Sequence, residues 1–187
     1  MEDKMNREDK VKRKKIEDSV LEIAQGDITA QDTEAVVNAA NKRLAPGGGV
    51  AGAIHNAAGP ELYEECKQLG RLETGEAVIT DGYELPADHV IHTVGPVYSK
   101  KGENERLLRN SYRNSLETAA EKGVESIAFP AISTGAFGYP TEEAAQIALD
   151  EIKRFLEKNN DIEQVRMVLY SEEDYKTHAE IIEDISD

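Results

Sequence analysis

The chain has 187 residues with 22 Lys and Arg against 37 Asp and Glu, a net charge of −15 that argues against a nucleic-acid surface, since phosphate contacts need concentrated basic residues. Its length suits one α/β domain with a sizeable core, and no apolar run reaches the length of a membrane span or reads as the core of a signal peptide. The single cysteine, Cys66, excludes an internal disulfide, fits a reducing cytoplasm, and reads as core packing rather than as a nucleophile.

Met1 to Asp18 alternates acids and bases and contains Lys10-Val11-Lys12-Arg13-Lys14-Lys15. This reads as a charged N-terminal extension over 1–18, a solvated helix or frayed end in preference to a partner-binding arm. Residues 19–187 then form a single domain.

A strand is predicted over Val20 to Gln25, and Gly26-Asp27-Ile28-Thr29 follows it. The next strand, Ala35 to Asn38, runs into Asn38 and Asn41, then into Pro46-Gly47-Gly48-Gly49 and a helix over Gly49 to Ala58. Three successive glycines make sense where backbone N–H groups must come close to something bulky and anionic. A loop feeding a helix N-terminus supplies such donors, so a phosphate-bearing ligand is expected over residues 47 to 52. No Lys followed by Ser or Thr comes after the glycines, so the loop is not a P-loop, and the dinucleotide fingerprint is missing too.

Further elements alternate: a helix over Glu61 to Leu69, strands over Ala77 to Asp81 and His89 to Val94, and a helix over Asn104 to Glu121. His89 and His92 are three apart in a strand and point to opposite faces, so they form no simple metal pair, and no other His/Cys spacing suggests zinc. A buried strand over Ser126 to Ala131 leads into Ser133-Thr134-Gly135-Ala136-Phe137-Gly138-Tyr139-Pro140. Here Ser133, Thr134 and the nearby amides suit phosphate, and Phe137 suits stacking on a sugar or base, although Phe137 and Tyr139 can also simply plug the end of a sheet. A helix over Glu142 to Lys158, a strand over Val165 to Tyr170 and a helix over Glu172 to Ile182 complete the chain.

Strands and helices in alternation, with near-continuous apolar strands, indicate a sheet covered on both faces. In open α/β sheets ligands sit outside the carboxyl ends of strands, where both glycine-containing loops lie.

These motifs, from Gly26-Asp27-Ile28-Thr29 through Val36 to His55, Ala57-Ala58-Gly59-Pro60, Thr74-Gly75-Glu76-Ala77, Ile91 to Pro96 and Phe129 to Pro140, resemble a macrodomain of the MacroD-like group. The resemblance covers about Val20 to Tyr175, with the motifs in order. It implies a three-layer α/β/α sandwich around a mixed, mostly parallel six-stranded sheet. It implies binding of ADP-ribose and hydrolysis of ADP-ribosyl esters, either on Glu or Asp of a protein or in O-acetyl-ADP-ribose. Its partners would be ADP-ribose or an ADP-ribosylated protein, with no cofactor and no metal, in a cytoplasmic monomer.

Residue by residue, the resemblance gives Asp27 to the adenine amino group and places Ile28 beside the ring. Gly47, Gly48, Gly49 and Val50 wrap one side of the diphosphate, and Ser133, Thr134, Gly135, Ala136 and Phe137 close the other. Asn41 holds the distal ribose, Tyr170 stacks on adenine, and His55 packs near the distal sugar. Asn41 and His55 are the catalytic candidates.

The chain departs from the MacroD-like pattern at Ala51, where an aspartate proposed to activate water is usual. Relatives with alanine there are credited with catalysis through positioning and the substrate's own phosphate. His55, four residues on and on the same helix side, suits ribose ordering or pocket capping better than a base. The alternative function is a reader that binds ADP-ribose without turnover. A nucleotide-phosphate hydrolase of another kind has only the glycine loop behind it.

Overall fold

The computed structural model describes residues 10–100 and 102–185. In chain order the strands are β1 (Val11–Ile16), β2 (Ser19–Gln25), β3 (Ala35–Ala39), β4 (Ala77–Asp81), β5 (His89–Thr93), β6 (Ser126–Phe129) and β7 (Gln164–Leu169). The helices are α1 (Gly49–Ala58), α2 (Pro60–Leu69), α3 (Asn104–Glu121), α4 (Thr141–Lys158) and α5 (Glu172–Asp184). One sheet forms in the order β1-β2-β7-β6-β3-β5-β4. The five inner strands are parallel, and the edges β1 and β4 run antiparallel to β2 and β5.

Strand alternation sorts the side chains into two cores. Ala35 and Val37 of β3 join Leu108, Ile147 and Tyr175 under α3, α4 and α5, whereas Val36 joins Ile54 and Leu62 under α1 and α2. The molecule therefore has three layers. Among the described residues, no helix is long and apolar enough to cross a membrane.

The sheet has seven strands, not the six expected. The extra one is β1, which lies inside the expected 1–18 extension; residues 1–9 lie outside the described residues. Residues 11–16 are neither a solvated helix nor a frayed end. Their period is two: Lys12, Lys14 and buried Ile16 share the face toward α5, where Lys12 reaches Glu183 and Lys10, just before the strand, reaches Glu172, whereas Arg13 is exposed on the other face and meets Glu22 at 3.0 Å. Lysines on an edge strand also discourage pairing with another chain.

Strand β6 stops at Phe129, short of the expected Ala131, because Pro130 has no N–H for the ladder. The chain leaving β6 is fastened from below. Buried Tyr112 of α3 accepts a hydrogen bond from the Ile132 N–H at 3.1 Å and donates to the Pro130 carbonyl at 3.4 Å.

Candidate functional site

The parallel strands β2, β3, β6 and β7 deliver their carboxyl ends to one rim of the sheet. There a cavity of about 530 Å³ opens. One end is built from Asp27 and Ile28 after β2, Val168, Leu169 and Tyr170 at the end of β7, and Asp174 in the first turn of α5. Gly49, Val50 and Ala53 of α1 form a second wall, and Pro130, Ala131, Thr134 and Gly135 after β6 form the third.

Asp27 has two attachments. Its Oδ1 accepts from the Thr29 N–H at 2.9 Å and from the Thr29 hydroxyl at 2.7 Å, capping the short turn Ile28–Ala30. That cap fixes the carboxylate at the rim while Ile28 anchors the turn in the core. Tyr170 is 88% exposed, an unusual state for a large aromatic and one that leaves its ring face open for stacking.

The glycine loop enters α1 with Gly48 as N-cap and no side chain capping the helix end. The first backbone N–H groups of a helix have no partner within it, so they are available at this wall. Gly49 has φ +56°, a conformation other residues rarely adopt. Asn41 shapes the same loop. Its Oδ1 accepts from the N–H groups of Arg43 and Ala45, both at 3.1 Å, and its Nδ2 donates to the Ala45 carbonyl at 2.8 Å. One amide hydrogen of Asn41 remains for a ligand.

The sequence-predicted residues divide. Asp27, Ile28, Gly49, Val50, Thr134, Gly135 and Tyr170 line the cavity together. Gly47 and Gly48 are exposed on the loop beside it. Ser133 turns inward: its φ is +69°, its hydroxyl is buried without a partner, and it lies so near Gly95 that a Cβ there would be 2.2 Å away. Ala136 and Phe137 lie further along the loop, where the Phe137 carbonyl accepts from the Tyr98 N–H at 2.8 Å. Ser133, Ala136 and Phe137 are not among the cavity walls.

His55 is also elsewhere. Ala51, Ile54, His55 and Ala58 form the inward face of α1, while Val50 and Ala53 face the cavity. The imidazole is buried with neither nitrogen hydrogen-bonded, its centroid 6.1 Å from that of Tyr63 and 6.4 Å from that of His92. Burial lowers its pKa and keeps it neutral. In this position it packs α1 onto the sheet and is not placed to take a proton from water in the cavity.

Cys66 lies in the same buried layer, 3.9 Å from Nε2 of His92, and burial pushes its thiol up to about 11, which suits core packing. Among the described residues no group of three His, Cys, Asp or Glu could hold a metal.

Six wall residues escaped the sequence reading: Ala53, Pro130, Ala131, Val168, Leu169 and Asp174. Ala53 was accessible from helical spacing, three residues beyond Val50. Asp174 offered no such signal, because an acidic residue in a first helical turn is already accounted for by the helix dipole.

The family model of the Macro domain matches residues 37–148, more than half of the chain. The chain belongs to the macrodomain family. The macrodomain is 50% identical over 159 residues to the ADP-ribose glycohydrolase MACROD2 of Xenopus laevis, covering 82% of this chain and 38% of that protein. It is 47% identical over 167 residues to the O-acetyl-ADP-ribose deacetylase of Cronobacter turicensis, covering 87% and 95%. Among solved structures, the Oceanobacillus iheyensis macrodomain with ADP superposes with a TM-score of 0.90 at 47% identity, covering 93% of this chain and 95% of that one.

Proposed function

We propose that this macrodomain binds ADP-ribose in the rim cavity and hydrolyses ADP-ribosyl esters, on Glu or Asp of a protein or in O-acetyl-ADP-ribose. The observation that carries the reading is the polarity of the cavity. A carboxylate and an exposed aromatic, Asp27 and Tyr170, stand at one end, and an open helix N-terminus with a glycine loop stands along the wall. The first pair suits a base with an exocyclic amine, and the second suits a diphosphate. The ligands and activities named for the relatives above agree with this assignment.

In the proposed complex the Asp27 carboxylate accepts from the adenine amine, Ile28 flanks the ring and Tyr170 stacks on it. The N–H groups over Gly47 to Val50 face one side of the diphosphate. The segment 133–137 closes the other side with its backbone, and Thr134 and Gly135 lie nearest. The distal ribose lies by Asn41, whose remaining amide hydrogen donates to it. Water then cleaves the ester, releasing ADP-ribose and a carboxylic acid.

Apart from Asp27 and Asp174 at the other end, the side chains of the cavity wall offer no general base. Rate enhancement therefore rests on orientation, which alone can lower a barrier by several kcal/mol, with the bound diphosphate as the nearest proton acceptor. Ala51 and the burial of His55 favour the second reading, a reader without turnover. The acidic composition argues against nucleic-acid binding, and the single cysteine fits a reducing cytoplasm.

Titration of the protein with ADP-ribose tests the binding step. One-to-one binding, weakened when the guanine analogue replaces it, is the expected result. Absence of binding at millimolar ligand would remove the assignment.

A further inference from the structure

The charged residues of the cavity wall are Asp27 and Asp174, both acidic, and both lie at the end built from β2, β7 and α5. Asp27 has a task in the reading above. Asp174 has none. Its backbone is held from both directions: its N–H donates to Oγ of Ser171 at 3.1 Å, and its carbonyl accepts from Nδ1 of buried His178 at 2.8 Å. The clamp fixes the backbone that carries a second carboxylate beside Tyr170.

Helix α5 does not need this charge in this place. Glu172 and Glu173 already put acid in the same first turn, and Glu172 is paired with Lys10 across the surface at 2.8 Å. Neither lines the cavity. Resting on the ADP-ribose assignment, we propose that Asp174 is a specificity-determining residue that rejects ligands carrying a phosphate on the adenosine ribose.

An unmodified adenosine brings no charge to this end: its exocyclic amine and two ribose hydroxyls can donate, and its ring nitrogens are neutral acceptors. Two carboxylates can accept from the amine and the hydroxyls, and neither meets a like charge. A phosphate at the 2′ position adds nearly two negative charges to a wall that holds two already and has no Lys, Arg or His among its residues. Repulsion between unit charges several ångströms apart at an intermediate dielectric amounts to about tenfold or more in affinity. The donor-rich wall by the glycine loop is taken up by the diphosphate and offers no relief. The groove thus selects by sign: anion at the α1 end, neutral nucleoside at the α5 end.

The test compares ADP-ribose with ADP-ribose 2′-phosphate by calorimetry, in wild type, Asp174→Asn, Asp174→Lys and Glu173→Gln. Wild type should bind the 2′-phosphate at least about tenfold more weakly. Asp174→Asn keeps an acceptor and drops the charge, and should shrink that ratio severalfold; Asp174→Lys should shrink it further. Glu173→Gln removes an equal charge from the same helical turn and should leave the ratio unchanged, which a dipole effect alone would not. Comparable wild-type affinity for both ligands would overturn the proposal while leaving the ADP-ribose assignment standing, and needs no variant to fold. A ratio equally altered by Glu173→Gln would also overturn it. Failure of wild type to bind ADP-ribose would remove the underlying assignment and the proposal with it.

Discussion

Gly52 and Gly47 are packed so closely that a Cβ on Gly52 would lie 2.2 Å from the Gly47 carbonyl oxygen. The first turn of α1 thus rests directly on the backbone of the glycine loop. A side chain at 52 must push the loop away from the helix. Gly52→Ala is therefore expected to keep the fold and to lose roughly tenfold or more in ADP-ribose affinity, because displacing backbone donors costs charge-assisted hydrogen bonds of about 1.5–3 kcal/mol each. Calorimetry checks the affinity, and unchanged binding would show that the loop is not the diphosphate wall.

Gly48 is the opposite case. Its φ of −86° and ψ of −179° suit any residue, and nothing lies within 4 Å of a Cβ built there. Gly48→Glu should leave the melting temperature nearly unchanged. It should nearly abolish binding, because bulk and a like charge then stand where the diphosphate approaches. A folded Gly48→Glu protein with wild-type affinity would move the ligand elsewhere.

Asp27 serves both the turn and the ligand, so Asp27→Ala confuses stability with recognition. Asp27→Asn keeps the oxygen that accepts from Thr29 and replaces an acceptor with a donor. The expected result is roughly tenfold or greater loss of ADP-ribose affinity with little change in melting temperature. Preference over the guanine analogue should narrow in the same variant.

Much of this was legible in the sequence where the signal was local. Helix α3 runs over Asn104–Glu121, the limits its pattern predicted. The seven wall residues that were anticipated sit on the connections after β2, β6 and β7 or in the first turn of α1, in segments with their own signatures of glycine, hydroxyl and aromatic residues. Strand β1 was missed because its lysines resemble a solvated run, and only pairing with β2 and contact with α5 reveal its period of two. Spacing put His55 on the same side of α1 as Ala51, but the direction of that side depends on His92 and Tyr63, which belong to other elements. Ser133 faces inward because Gly95, distant in sequence, leaves room for its hydroxyl.

Acid should weaken the fold through its buried histidines. Burial, reinforced by neighbouring His55, lowers the pKa of His92 from 6.5 to about 3, and burial also lowers those of His55 and His178. The hydrogen-bond partners of His92 are neutral: Asn38 at 3.1 Å, Thr80 at 2.9 Å and the Cys66 thiol at 3.9 Å. The native state keeps these rings neutral, while the unfolded chain protonates them near 6.5. Their contribution is therefore fully present above that pH and is lost as pH falls toward the folded value. One such histidine gives a slope of up to about 1.4 kcal/mol per pH unit. Urea denaturation at about pH 7, 6 and 5 should show falling stability, with a shallower fall in His92→Gln. Constant stability across that range would contradict the buried, neutral assignment.

The most direct measurement is release of ADP-ribose from a glutamate-linked ADP-ribosylated protein, followed alongside binding in the same samples. Slow but complete release by wild type is the expected result. Asn41→Ala should lower the rate more than the affinity, because a loosened loop and a lost donor leave the ribose poorly oriented. Ala51→Asp should leave binding nearly intact, and general-base assistance, where a carboxylate reaches the water, adds at most about 10²–10⁴-fold. Wild type that saturates with ADP-ribose yet releases none from the linked glutamate would contradict the enzyme reading and leave a reader.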